Sequence, residues 1–134
     1  MYEFLLRVSK LKRTQEKIEA FQGNDTLALR IILQGVFDPN VEWLLPEGEP
    51  PYKPNDLVDQ QHILHREADK LRYFVKGFHD NLPQTKREAM FVQLLERVDP
   101  QDAKLLLAMK EKKLPFNGIT INHVKEGLPG LIAE

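Results

Sequence analysis

Apolar residues recur at helical spacing along almost the whole chain, and a single proline-rich stretch breaks the rhythm. Phe4, Leu5 and Val8 predict a short amphipathic helix over Tyr2–Val8. Thr14, read as an N-cap, opens a second helix through Ile18 and Phe21 to Gly23. Asn24 or Asp25 then caps a third, in which Leu27, Leu29, Ile31, Ile32 and Leu33 are dense enough to predict burial against several neighbours. Asp38-Pro39 pairs a side-chain acceptor with a residue that lacks an amide proton. That pairing predicts a short helix holding Val41, Trp43, Leu44 and Leu45, ended by Pro46.

Pro46, Gly48, Pro50, Pro51 and Pro54 predict an extended acidic loop over residues 46–59, because proline blocks both helix continuation and ladder pairing. Beyond it, Leu64, Ala68, Leu71, Phe74, Val75 and Phe78 predict the longest helix, from Leu57 or Gln60 to Lys76, with Gly77 at its stop. Gln84 to Arg97 forms the next, burying Met90, Phe91, Leu94, Leu95 and Val98.

The last third, Asp99 to Ile132, is the most structured in its signals. Asp99-Pro100 is a strong helix start, and Asp102 adds negative charge to the first turn. Ala103, Leu106 and Leu107 continue that helix towards Lys110, Lys112 and Lys113, cations suited to its C-terminal end, before Leu114-Pro115 stops it. Asn117-Gly118 makes a turn, Thr120 is the expected N-cap, and Ile121 to Glu126 forms a short helix closed by Gly127. The fold class is all-α, one multi-helix domain spanning residues 1–134.

Composition narrows the function classes. With 134 residues the chain is long enough for one core, and with no cysteine it has neither disulfides nor thiol chemistry. Its apolar runs are too short to cross a bilayer, and Met1-Tyr2-Glu3 opens without a charged leader, so a soluble protein without membrane attachment is expected. A net charge of −1 argues against blanket neutralisation of nucleic-acid phosphates. The sum conceals an asymmetry, since Asp38, Glu42, Glu47, Glu49, Asp56 and Asp59 crowd one segment against Lys53 alone. The remainder is mildly basic.

Candidate chemistry is sparse. His62 and His65 share a helix with Asp69 one turn on, but a zinc site needs three or four ligands, and solvated histidines are the simpler reading. No catalytic constellation or phosphate loop occurs, so no enzyme, no metal and no cofactor is expected. Two basic groups stand out. Arg7, Lys10, Lys12 and Arg13 surround the first interhelix turn, and Lys104, Lys110, Lys112 and Lys113 surround the penultimate helix. A charge run is ordinarily a solvated face; converging on one side, the two groups would suit contact with a duplex backbone.

The stretch RTQEKIEAFQGNDTLALRIILQGVFDPNVEW (residues 13–43), with the Met90–Ile132 block, resembles the N-terminal helical DNA-binding domain of T-even phage DNA ligase, an ATP-dependent enzyme. The chain as a whole also resembles a family of small uncharacterised proteins of T-even-like phages, through the loop PEGEPPYKPN (residues 46–55) and the run YFVKG (residues 73–77). The ligase likeness implies backbone contacts to duplex DNA at Lys110, Lys112, Lys113, Gly118, Thr120 and Asn122. It implies no catalysis, because the Lys-x-Asp-Gly motif is absent and the chain stops after Gly130-Leu131-Ile132, about where the ligase passes into its catalytic domain. Two functions follow. One is a non-catalytic phage module binding duplex DNA, with Arg7, Lys10, Lys12 and Arg13 as further anchors. The other is an adaptor that uses Trp43, Pro50, Pro51 and Tyr52 to engage a phage or host replication, transcription or virion protein. Either would work in the host cytoplasm or in the virion.

Overall fold

Two helices, Leu27–Phe37 and Pro100–Lys110, meet at the centre of the molecule, and four of the other elements pack against one or other of them. The computed structural model describes residues 1–57, 60 and 62–132, so the last two positions of the expected 46–59 loop lie outside the described residues. The elements in chain order are α1 (Tyr2–Lys10), α2 (Thr14–Gly23), α3 (Leu27–Phe37), α4 (His62–Glu67), a 3-10 segment (Ala68–Phe74), α5 (Gln84–Arg97), α6 (Pro100–Lys110) and α7 (Ile121–Gly127). Among the described residues no strand forms beyond one isolated bridge, so the fold is all-α.

α6 buries Ala103, Leu105, Leu106, Ala108 and Met109, a set that goes round the helix and does not keep to one stripe. An element apolar over most of its circumference needs several neighbours to cover it, and the side of Gln101 and Lys104 faces solvent. α6 meets α3, α5 and α1, while α3 also meets α4 and the 3-10 segment. Asp99 caps α6 as its sequence predicts, accepting from the Gln101 amide (3.0 Å) with Pro100 in the first turn. Asp102 is buried and accepts from the Tyr2 amide (2.8 Å), which ties the start of α1 to α6; the Met1 amino group lies 3.5 Å away. α2 and α7 form a second layer. Gly127 lets them close, since a Cβ there would sit 2.9 Å from Phe21 Cβ.

Four expectations are corrected. The third helix is capped by Thr26, whose hydroxyl accepts from the Leu29 amide (3.2 Å); Asn24 instead donates to Ala20 O and Asp25 pairs with Arg30. Thr14 is the first residue of α2, with Arg13 in the cap position and no side-chain cap bond.

No helix forms over Val41–Leu45. Asp38 accepts from the Asn40 amide (2.9 Å) and builds a tight turn there, and the chain then runs extended beside residues 74–76. The Leu44 amide donates to Phe74 O (2.7 Å) and the Lys76 amide to Glu42 O (3.0 Å), around the Trp43–Val75 bridge. Trp43 is held on α3 by its indole N–H, which donates to Gly35 O (2.9 Å).

The expected long helix to Lys76 is α-helical only to Glu67 and 3-10 from Ala68 to Phe74. The buried positions explain the change. Leu64 and Ala68 are four apart, but Ala68, Leu71 and Phe74 recur every three residues, the period of a 3-10 turn. α5 is the longest helix.

Candidate functional site

The lysines of the penultimate helix are occupied within the protein. α6 ends at Lys110, and Lys112 takes a left-handed conformation (φ 61°) that turns the chain while the Lys113 amide returns to Ala108 O (3.1 Å). The Lys110 side chain is 3% exposed; its ammonium donates to Pro46 O (3.1 Å) and to the Glu111 carboxylate (2.5 Å). That carboxylate also accepts from the Gly48 amide (3.1 Å), and Lys110 with the Gly48 amide holds it below the usual carboxylate range. The Lys112 ammonium donates to Asp38 O (2.6 Å) and Val41 O (3.1 Å), and burial pushes its pKa down. Lys110 and Lys112 therefore clamp the 38–48 segment, while Lys113 and Lys104 stay exposed.

The proline-rich segment is thereby a strap with fixed ends. Its Lys53 amide donates to Glu96 (2.8 Å) and the Asn55 side chain to Arg97 O (2.7 Å), which lay it across α5 and the end of α6. Tyr52 is half-buried against the core, and its pKa rises through burial and the nearby Glu49 charge. Trp43 is likewise structural. Pro50 lines an apolar cleft of about 200 Å³ with Leu45, Pro46, Phe91 and Val92, and Pro51 faces solvent.

Elsewhere the structure brings together parts that the sequence left apart. Gly118 has φ 117°, and a Cβ there would fall inside contact distance of Ser9 O, so the turn sits directly on the end of α1. The Lys17 ammonium donates to Gly118 O and locks α2 to the same turn. Thr120 caps α7 with its amide donating to His123 Nδ1 (3.0 Å); burial first, then Lys17, lowers the His123 pKa, in keeping with a neutral acceptor ring. Thr120 and Asn122 are exposed at this corner. So the α1–α2 turn, carrying Lys10, Lys12 and Arg13, adjoins the Gly118–Asn122 turn, while Arg7, two residues before Ser9 and so on another side of α1, faces the α2–α3 turn and α4. Among the described residues, none of Arg7, Lys10, Lys12 and Arg13 makes an ion pair or side-chain hydrogen bond, and all four are exposed.

The burial of three charged residues went unnoticed in the sequence. Glu67 pairs with Lys70 (2.5 Å) and Arg97 (2.8 Å), and the Lys70 bond does most to lower its pKa. Arg87 donates to Tyr73 O (3.0 Å), His79 O (2.9 Å) and Gln84 Oε1 (2.5 Å). Asp102 is the third, its pKa raised by burial. An acid three residues before a lysine was a readable signal for Glu67–Lys70; for Arg87 only Gln84 is local, and its other two partners are backbone carbonyls brought in by the fold. Among the described residues no group of three metal-ligating side chains gathers, and no helix is long and apolar enough to cross a membrane.

These features define an all-helical domain with two buried central helices, a clamped acidic strap and a basic corner. The chain belongs to the family described as "Family of unknown function (DUF6433)", whose model matches residues 4–115, from α1 to just past α6. No curated protein and no solved structure gives a match.

Proposed function

We propose that the chain is a non-catalytic phage module that holds duplex DNA by its phosphate backbone, in the manner of the ligase-type helical domain it resembles. Arg7, Lys10, Lys12 and Arg13 are its anchors, and the Gly118–Asn122 turn lies beside the last three. The observation that carries this reading is the division among the cations. Lys110 and Lys112 are committed to internal carbonyls and a carboxylate, whereas Arg7, Lys10, Lys12 and Arg13 have no partner among the described residues, and the α1–α2 turn that carries Lys10, Lys12 and Arg13 adjoins the glycine turn. Exposed, unpaired cations release counterions from a duplex; paired ones contribute little. Lys110 and Lys112 therefore leave the list of anchors that the ligase likeness implies.

Fluorescence anisotropy of a labelled duplex tests this. Four phosphate contacts give a slope of log affinity against log salt of about −3.6. The triple variant Lys10→Glu, Lys12→Glu, Arg13→Glu removes binding and keeps the helical spectrum. Absence of binding at low salt, or full affinity in the triple variant, overturns the reading.

The adaptor reading retains one supporting observation, the apolar cleft between the strap and α5. In that reading Pro50 and the cleft wall engage a phage or host protein, with Trp43 and Tyr52 acting only as the strap's supports. A Val92→Asp variant that loses a partner recovered by wild type supports it; an unchanged set of partners counts against it.

A further inference from the structure

One cavity lies between α1, the α2–α3 turn and α4, and shares Arg7 with the basic N-terminal group. It holds about 310 Å³ and is lined by Glu3, Arg7, Asn24, Thr26, His62 and His65. Three nitrogen-bearing side chains that can carry positive charge thus face one cleft from two helices that are far apart in sequence. Neither histidine makes a side-chain hydrogen bond among the described residues, and Arg7 has no ion pair.

Most carboxylates around the cleft are already engaged. Asp25, between Asn24 and Thr26, is held by Arg30 (2.5 and 2.7 Å). Asp102 accepts from the Tyr2 amide and sits by the Met1 amino group, and Glu67 is taken by Lys70 and Arg97. Asp69, one turn beyond His65, is exposed. Among the described residues Glu3 is the one carboxylate in the lining, set against Arg7 and two imidazoles.

We propose that this cleft binds a phosphate group, free or as a monoester, between Arg7 and the two histidines. The guanidinium supplies a planar pair of donors, and each imidazole adds one donor to an oxygen it faces. His65 is held below its ordinary pKa by burial and by the Met1 ammonium, with Asp102 opposing, so it is neutral in the empty cleft near pH 7. An arriving dianion reverses that balance and raises its pKa, which couples binding to proton uptake. The site does not rest on duplex binding, because inorganic phosphate alone is the probe that decides it.

The test follows the Cε1–H resonances of His62 and His65 by NMR as inorganic phosphate is added, against chloride at matched ionic strength. Saturable shifts with phosphate, and an upward move of the His65 titration, are expected. Arg7→Gln weakens binding at least about tenfold. Glu3→Gln tightens it, an effect that a purely structural role for the cleft does not produce. Lys12→Glu leaves it unchanged, which separates this site from the duplex surface. A 5′-phosphorylated oligonucleotide that outcompetes its 5′-hydroxyl form identifies a strand end as the source; equal competition identifies a small phosphate or its ester. Shifts that match the chloride control, or unchanged phosphate affinity in both Arg7→Gln and folded His65→Gln, overturn the proposal.

Discussion

Replacing Lys110 by methionine keeps an unbranched apolar stem and removes the terminal ammonium, which separates a structural role from a DNA-contacting one. In the wild type the ammonium donates to Pro46 O (3.1 Å) and Glu111 (2.5 Å), and the side chain is almost wholly enclosed. Hydrogen bonds involving a charged group contribute roughly 1.5–3 kcal/mol each. Two terms oppose that sum. The ammonium no longer has to be stripped of water, and the Glu111 carboxylate, one-third exposed, rehydrates once its partner is gone. The net loss of stability is about 1–2 kcal/mol. With a urea m-value of about 1.5 kcal/mol/M, the unfolding midpoint falls by about 1 M.

The pH dependence has a definite sign. Glu111 titrates below its ordinary value chiefly because of Lys110, so its contribution is present above the unfolded pKa and is lost as pH falls through the folded one. The gap between wild type and Lys110→Met is therefore full near pH 7 and narrows below about pH 4. Urea unfolding followed by circular dichroism measures it, with duplex anisotropy run on the same samples. Duplex affinity stays at the wild-type level while stability drops. Wild-type stability together with lost affinity refutes the reasoning, since it would place the ammonium on a ligand and not on the strap.

Gly118→Ala forces a side chain onto Ser9 O at φ 117° and costs about 2–4 kcal/mol in chemical denaturation, with loss of duplex affinity as the α1 end and the turn separate. At Lys112 the left-handed backbone (φ 61°) makes glycine the milder replacement; Lys112→Gly is more stable than Lys112→Ala by about 1 kcal/mol, although both lose the bonds to Asp38 O and Val41 O. Glu67→Gln leaves Arg97 and Lys70 without their shared carboxylate and costs about 1–3 kcal/mol near pH 7. Because the Glu67 pKa is lowered in the fold, that cost disappears as pH falls through the folded pKa, and acid unfolding curves of the two proteins converge.

Local signals were legible where a single segment decides the outcome. Asp99-Pro100 starts α6, Thr120 caps α7, and the apolar density of residues 27–33 yields a central buried helix, each because the partners lie within a few residues. Asp38-Pro39 shows where that reading fails. The same acceptor that starts a helix also builds a tight turn, and the competition is settled by Trp43 docking on Gly35 and by the backbone of residues 74–76 offering hydrogen bonds. The expected long helix fails for a related reason. Its apolar residues suit either a 3.6- or a 3-residue period, and the shape of the core under Ala68, Leu71 and Phe74 selects the tighter one.

The candidate site divides in the same way. The sequence by itself determined that the protein is helical and that it carries an acidic proline-rich segment and two basic groups, because those facts are matters of residue type and short spacing. Tertiary structure alone decided which cations are available. Lys110 and Lys112 reach carbonyls some seventy residues away, while Gly118 brings a distant turn onto Ser9 beside the unpaired Lys10, Lys12 and Arg13. A charge written in the sequence acts outward only when the fold leaves it without a partner, and partners are set by closures over distances that periodicity does not encode.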